Sequence, residues 1–297
     1  VKKINPKAIM YCEGWTAADS PLPASKRALK KHIQQMPKIA AFSDDIRDGI
    51  KGSVFDDKST GFVSAAKNTE ESIKFGIVGS TKHPQINYKE VNYSDKSWAN
   101  EPWQAINYVS CHDNHTLFDK LKTSQPSASE TEIKAMQKLA VAIVLTSQGT
   151  PFLHAGSEMM RTKFGEYNSY RSPDSINQID WILKVKNVDV VTYYQNLIRL
   201  RKEHPAFRLP TAKEVQENLE FIKTENSLIS YQLKNNANKD SWKTIYVIFN
   251  AQKRPLNYKL DQSWNVAVLG DTFNFEREKS VSKSIKIPVK TMAILFK

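Results

Sequence analysis

The chain has 297 residues, of which 40% are hydrophobic and 25% are charged, a composition typical of a folded globular protein. No run approaches the roughly 18 apolar residues of a membrane span, so a transmembrane helix is not expected. The net charge of +12 comes from lysines spread along the whole chain, which favours a solvated basic surface over a nucleic-acid site. The two cysteines show no CxxC pair and no Cys/His ligand spacing, which disfavours a zinc site.

The first part of the chain alternates short apolar runs with helical patterns. Residues 9–11 and 39–42 are predicted strands, and residues 25–36 between them keep one apolar face at helical spacing. The acidic and basic residues of 43–48 predict a charged loop after the second strand. Residues 70–78 predict another helix. This alternation indicates an α/β fold with parallel strands.

The same alternation continues to about residue 205. Residues 105–109 predict a strand, and Ser129 followed by Glu132 is a capping-box pattern that marks the start of a helix. The long polar segment 154–181 predicts a loop, and loops of this length in compact folds are often functional. The apolar positions of 190–198 predict one more helix, which ends before Pro205.

From residue 206 the apolar period changes to two, which predicts antiparallel strands. We therefore expect two domains, residues 1–205 and residues 206–297. About four strand–helix pairs precede the change, whereas a closed (β/α)8 barrel needs about eight. The first domain is accordingly either a smaller open sheet or the second half of a barrel.

Two short acid-bearing segments stand directly after predicted strands. Residues 11–15 read YCEGW and contain Glu13, and residues 108–115 read YVSCHDNH and contain Asp113. If both strands are parallel members of one barrel, both acids emerge at the carboxyl-end rim, where such folds carry their active sites. The alternatives are a Glu13 that pairs with a lysine and an Asp113 that caps the following helix.

These segments resemble those of a known enzyme family. Residues 11–15 are similar to the general-acid segment of type I pullulanases, within the α-amylase superfamily of glycoside hydrolases. Residues 41–49 (AFSDDIRDG), 108–117 and 168–181 (NSYRSPDSINQIDW) resemble further pullulanase segments in the same order. Four matching segments in order are more specific than any one of them. The resemblance implies the carboxyl-terminal half of the catalytic barrel, followed by the family's β-sandwich domain.

The resemblance also implies retaining hydrolysis of α-1,6-glucosidic linkages in pullulan, glycogen or branched dextrins. Glu13 matches the general acid/base, and Asp113 matches the aspartate that stabilises the transition state. The family's nucleophilic aspartate has no counterpart in this chain, so we expect the 297-residue polypeptide to be inactive without the amino-terminal half of the barrel. Cys12, Cys111 and His115 depart from the family's usual residues, which leaves the fine specificity open.

Further residues are candidates for contacts with sugar. Trp15 is expected to stack on a glucose ring, with a place in the core as the alternative. The candidates in the loop 154–181 are Asn168, Tyr170 and Asp174, and these residues could instead order the turns of that loop. Within that loop, Glu158 and Arg161 are expected to form a buried ion pair. The complete set of expected substrate contacts is Trp15, His112, Asn114, Asn168, Tyr170 and Asp174.

The expected partner is an α-glucan, with no nucleic acid and no membrane span. The sequence indicates no cofactor and no metal site, and it leaves calcium binding open. By resemblance alone, the location is extracellular or in the cell envelope. Two alternative functions remain: a non-catalytic starch- or glycogen-binding fragment, and an α-1,4-acting member of the same superfamily.

Overall fold

The computed structural model describes residue 1 and residues 3–16, 19–274 and 279–297. The first part contains four short strands: β1 Tyr11–Cys12, β2 Ala40–Phe42, β3 Ala105–Asn107 and β4 Thr150–Pro151. They form one sheet in the order β1-β2-β3-β4, and each neighbouring pair is parallel. The carboxyl ends of all four strands therefore lie at the same rim.

Helices connect these strands and cover the sheet. Among the described residues, the α-helices are α1 Asp44–Lys51, α2 Glu70–Ile77, α3 Leu117–Ser124, α4 Glu130–Thr146, α5 Asp174–Asn177, α6 Ile182–Lys186, α7 Val188–Glu203 and α8 Ala212–Asn218. The capping box at the start of α4 is confirmed. The Ser129 hydroxyl accepts from the Glu132 amide at 3.3 Å, and the Glu132 carboxylate accepts from the Ser129 amide at 3.0 Å.

The predicted charged loop at 43–48 is wrong, because these residues begin α1, of which residues 45–51 are buried. The Asp45 carboxylate accepts from the Ser94 hydroxyl at 2.7 Å and from the Lys30 ammonium at 2.9 Å. Partners distant in the sequence thus satisfy a charge that would otherwise stay in solvent. Burial therefore follows from tertiary pairing that the local charge pattern does not reveal.

The single helix predicted over residues 25–36 is also wrong. Two 3-10 helices, Ala24–Lys26 and Lys30–Gln35, occupy this segment. Leu29 between them has an extended backbone (φ −88°, ψ 151°), and the amide of Lys30 donates to the Gly14 carbonyl at 2.5 Å. A hydrogen bond to the β1 loop thus replaces one that would continue the helix.

The second part is antiparallel. Its strands are β5 Leu219–Glu225, β6 Leu228–Leu233, β7 Ile245–Asn250, β8 Leu256–Lys259, β9 Trp264–Leu269, β10 Thr272–Phe273, β11 Ser280–Val281, β12 Ser284–Ile287 and β13 Thr291–Phe296. The main sheet has the order β10-β9-β13-β7-β6-β5, β11 also pairs with β9, and β8 pairs with β12 in a separate ribbon. The predicted order, an α/β part and then antiparallel strands, is confirmed.

A buried polar contact joins the two parts. Asp240, 3% exposed, accepts from His204 Nδ1 at 2.9 Å, from the Trp242 amide at 2.9 Å and from the Ala206 amide at 3.1 Å. The Trp242 ring stacks between His204, with ring centroids 3.5 Å apart, and Phe296, at 4.0 Å. The end of α7 is thereby fixed to β13. The division of the chain into residues 1–205 and 206–297 stays a prediction.

Candidate active site

A cleft of about 570 Å³ opens at the rim where the parallel strands end. Residues that follow β1, β2 and β3 line it, including Glu13, Asp44 and Asp113. Parallel strands bring these segments together although they are far apart in the sequence. The candidate site therefore lies where the sequence predicted it.

Glu13, His112 and Asp113 lie side by side in this cleft. One ligand atom from each lies within 4.8 Å of the others, and all three residues are exposed. His112 Nδ1 is 3.1 Å from the Asp113 carboxylate. Among the described residues, these three side chains are spaced closely enough to hold a metal ion together. Because its members are the predicted acid and sugar contacts, we assign no separate metal site.

The two alternative roles, a lysine partner for Glu13 and a helix cap for Asp113, do not match the surroundings of these acids. Within the described part of the chain, Glu13 forms no ion pair with a lysine. The amino terminus of α3 is capped by Thr116, whose hydroxyl accepts from the Asp119 amide at 3.1 Å, and not by Asp113. Both acids line the cleft without the partners that these alternatives require, while their catalytic roles stay predictions.

Trp15 and Asn114 also line the cleft. Trp15 is 39% exposed, so it does not lie in the core, and its ring centroid is 6.4 Å from that of Phe42. Asn114 has a left-handed backbone (φ 61°), a conformation that asparagine adopts more readily than most residues. The turn at Asn114 lies between Asp113 and α3.

An aromatic floor, which the sequence analysis missed, surrounds Phe42 at the end of β2. Its ring centroid lies 4.8 Å from Tyr108, 5.2 Å from Phe152 and 5.6 Å from Tyr11, each in an edge-to-face arrangement. All four residues line the cleft. An aromatic residue at or just after each of the four strands was the available signal. Such a floor offers apolar surface for the apolar faces of sugar rings.

Arg47 and Asp44, which begin α1, were also missed as cleft residues. Arg47 donates to the Tyr108 hydroxyl at 2.8 Å and to the Asp48 carboxylate at 2.5 Å. Asp44 accepts from the Lys30 ammonium. Burial raises the pKa of the Asp44 carboxyl, and Lys30 opposes that rise. Because a loop was predicted at this position, neither residue was identified from the sequence as part of the cleft.

The loop candidates Asn168, Tyr170 and Asp174 do not line this cleft. All three are exposed, and Tyr170 is 71% exposed beneath the Arg171 guanidinium, which lies 5.1 Å from its ring centroid. Asp174 is the first residue of α5. The structure therefore does not bring these three side chains to Glu13 and Asp113, and their contacts with sugar stay predictions.

The predicted ion pair between Glu158 and Arg161 is wrong. Glu158 accepts instead from the Gly156 amide at 3.0 Å, and Arg161 donates to the carbonyls of Ala155, at 3.2 Å, and Asn177. In an irregular loop the backbone groups need partners, and the two side chains satisfy those groups instead of each other.

Lys163 is a buried residue that connects the long loop to the candidate site. Its ammonium donates to the His112 carbonyl at 2.9 Å and to the Ser169 hydroxyl at 2.6 Å. Burial and the nearby Arg161 lower the pKa of Lys163. The lysine fixes the position of the segment that carries His112 and Asp113. No sequence pattern marks this lysine among the others.

The two cysteines are free, and both line the cleft. Burial raises the pKa of the Cys12 thiol and of the Cys111 thiol. Both are therefore protonated near neutral pH, and neither is an activated nucleophile. The carboxylates are the groups in this cleft that suit acid–base chemistry.

Behind the cleft, Lys51 is 2% exposed, and burial, together with Arg47, lowers its pKa to about 7. In the unfolded chain its pKa is ordinary, so stability rises with pH between about 7 and 10, where only the unfolded state keeps the proton. We expect Lys51→Met to stabilise the chain by about 1–4 kcal/mol at or below neutral pH, with the gain fading toward pH 10. Urea denaturation at several pH values measures this. An exposed control, Lys58→Met, should show no such trend, and a gain that ignores pH would contradict the burial argument.

Comparisons with known proteins match this chain to pullulanases and to an isoamylase. A model of the family "Pullulanase, all-beta domain" matches residues 215–272. The pullulanase of Bacillus subtilis is 37% identical over 286 residues, which cover 96% of this chain and 38% of that protein. The isoamylase of a Flavobacterium species is 27% identical over 205 residues.

Solved structures agree with these sequence matches. The Bacillus acidopullulyticus pullulanase superposes with a TM-score of 0.91 at 37% identity, covering 99% of this chain and 35% of that one. The type I pullulanase of Bacillus subtilis, solved with maltose, gives a TM-score of 0.92 at 35% identity, covering 99% and 40%. These matches confirm the expected architecture, the second half of an eight-stranded barrel and an all-β domain. The chain thus spans about two fifths of the length of these relatives.

Proposed function

Because this chain belongs to the pullulanase family, we propose that it supplies part of the active site of a retaining debranching enzyme. In this proposal the complete enzyme hydrolyses α-1,6-glucosidic linkages of pullulan, glycogen or branched dextrins. The observation that supports this most directly is the meeting of Glu13, His112 and Asp113 within 4.8 Å at the strand-end rim. In retaining hydrolysis the acid/base and the carboxylate that holds the sugar hydroxyls must both reach the sugar at the scissile bond.

In this proposal Glu13 is the general acid/base. It protonates the leaving glycosidic oxygen while a carboxylate attacks the anomeric carbon, and it then takes a proton from the water that releases the sugar. Asp113 accepts hydrogen bonds from hydroxyls of the same sugar, and these bonds strengthen as the ring flattens toward the transition state. His112 and Asn114 donate to that sugar, and Trp15 stacks on a neighbouring ring.

The attacking carboxylate comes from another part of the barrel in this proposal. Of the described acids that line the cleft, Glu13 and Asp113 have other roles, and Asp44 is held by the Lys30 ammonium. The Lys30 ammonium already compensates the charge of Asp44, which makes this carboxylate a weaker nucleophile than a free one. We therefore expect the 297-residue polypeptide alone to release no sugar.

The partner in this proposal is a maltose-based glucan. Related pullulanases were solved with maltose, and in one case with maltohexaose and α-cyclodextrin. Such polymers are usually outside the cell, so we propose an extracellular or cell-envelope location. In the described part of the chain, no helix has the length and apolarity that crossing a bilayer would need.

A chimera tests the proposed activity. This chain replaces the matching segment of the Bacillus subtilis pullulanase, and the product is assayed on pullulan and on linear amylose beside the 297-residue polypeptide. We expect the chimera to release maltotriose units from pullulan and to leave amylose intact, and we expect the isolated polypeptide to release nothing. Cleavage of amylose alone would identify an α-1,4 enzyme. Binding of maltotriose by a folded chimera without hydrolysis would identify a non-catalytic glucan-binding protein.

A further inference from the structure

The cations of the antiparallel part are not evenly distributed, although lysines are spread along the whole sequence. The ribbon of β8 and β12, together with its flanking turns, covers residues 253–261 and 282–290, and we call this surface the basic ribbon. It contains six cations and one acid, Asp261. The cations are Lys253, Arg254, Lys259, Lys283, Lys286 and Lys290.

The pairing register decides which side chains face solvent. Lys259 pairs with Ser284, and Lys286 pairs with Asn257, so these four residues share one face. The alternate positions face inward, where Tyr258, Ile285 and Ile287 join a hydrophobic cluster. The outer face thus carries two lysines, one serine and one asparagine, with no acid and no apolar residue.

The turns at both ends of the ribbon add further charge. The amide of Leu260 donates to the Lys283 carbonyl at 2.8 Å, which places Lys283 beside the end of β8. At the other end Asn250 donates to the Arg254 carbonyl at 3.3 Å and to the Pro288 carbonyl at 2.9 Å, which joins the two turns. Lys290 is buried, so we do not count it as available.

Five exposed cations therefore remain: Lys253, Arg254, Lys259, Lys283 and Lys286. Within the described ranges, none of them forms an ion pair with a carboxylate. Lys259 and Lys286 are diagonal neighbours on the ribbon, about 7–8 Å apart between Cα atoms by strand geometry. Like charges at this spacing repel each other, and an anionic surface would relieve that repulsion.

We propose that the basic ribbon docks this chain on an anionic phospholipid bilayer. A lipid surface needs only accessible cations, each of which adds about 1 kcal/mol when it lies near anionic headgroups. Single-stranded nucleic acid would need aromatic side chains for base stacking, and Tyr258 faces inward instead. A protein partner would need apolar or aromatic anchors at the centre of the interface, and the outer face has none.

The chemistry of lysine suits this partner. Its ammonium is a compact point charge on a flexible stem, which can reach phosphate oxygens of several orientations. The binding is electrostatic and reversible, because no apolar side chain on the outer face enters the hydrocarbon. It should therefore weaken steeply as the salt concentration rises.

Co-sedimentation of the 297-residue chain with vesicles tests the proposal. One vesicle type is phosphatidylcholine alone, and the other contains equal parts of phosphatidylcholine and phosphatidylglycerol. The ribbon variant is Lys259→Gln/Lys283→Gln/Lys286→Gln. The matched control is Lys67→Gln/Lys82→Gln/Lys89→Gln, which removes the same charge from exposed positions elsewhere.

We expect binding to the phosphatidylglycerol vesicles only, about 100-fold weaker in the ribbon variant and changed much less in the control. Equal losses in both variants would overturn the proposal, because net charge alone would then explain them. Absence of binding by the unmodified chain, or tighter binding to DNA than to the vesicles, would also overturn it. If the triple variant melted abnormally, Lys286→Gln against Lys82→Gln would make the same comparison. None of these outcomes depends on glucan hydrolysis.

Discussion

Replacing Glu13 by Gln is expected to lower kcat on pullulan by about 10²–10⁴-fold in the chimera described above. The amide keeps the size and the hydrogen bonding of the side chain but cannot protonate the leaving oxygen. Because Glu13 is exposed and forms no ion pair among the described residues, folding should not change. KM should change much less than kcat, since the proton transfer occurs in the transition state.

The control for this prediction is Glu166→Gln, a carboxylate on the long loop that does not line the cleft. Steady-state assays with both variants, together with thermal melting curves, separate a catalytic loss from an unfolding loss. Near-normal turnover by the Glu13 variant would exclude it as the acid. Rescue of that variant by azide on an activated substrate would instead support the role, since azide attacks the anomeric carbon of the glycosyl-enzyme without needing a base and releases the enzyme carboxylate.

Replacing Asp240 by Asn is expected to destabilise the chain by about 1–3 kcal/mol. Asp240 is buried and its two carboxylate oxygens accept three N–H donors, from His204, Ala206 and Trp242. An asparagine of the same volume would turn one acceptor into a donor that faces another N–H. With the remaining oxygen in the place of Oδ1, the Ala206 amide would lack its acceptor, and an unpaired buried polar group is costly.

Urea denaturation of the 297-residue chain measures this loss. Asp261→Asn is the matched control, because Asp261 is exposed and its charge is in solvent. The control should change the free energy of unfolding by less than about 0.5 kcal/mol. A loss confined to the antiparallel part, seen as a second transition, would show that Asp240 holds the two parts together. An unchanged midpoint would contradict the proposed role of this contact.

Much of the architecture could be predicted from local patterns. The Ser129 and Glu132 capping box, the apolar period of α7 and the change to period two each depend on residues within a few positions. The placement of Glu13 and Asp113 also followed, because both segments directly follow strands. Parallel pairing then brings such segments to one rim, whatever the sequence distance between them.

Other features depended on partners that no local pattern identifies. The chain around Asp44 and Asp45 reads as a loop until Lys30, Tyr93 and Ser94 surround it. The separation of Asn168, Tyr170 and Asp174 from the cleft required the path of the loop.

The sequence by itself determined the order of the elements, the family resemblance and the two acids at the strand ends. Only the tertiary structure decided the helix α1, the role of Lys163 under His112, the aromatic floor around Phe42 and the concentration of cations on the basic ribbon. The physical reason is the range of the interactions. Helix caps and apolar periods act between neighbours in the sequence, whereas burial of charge and strand register are set by groups that only the folded chain brings together.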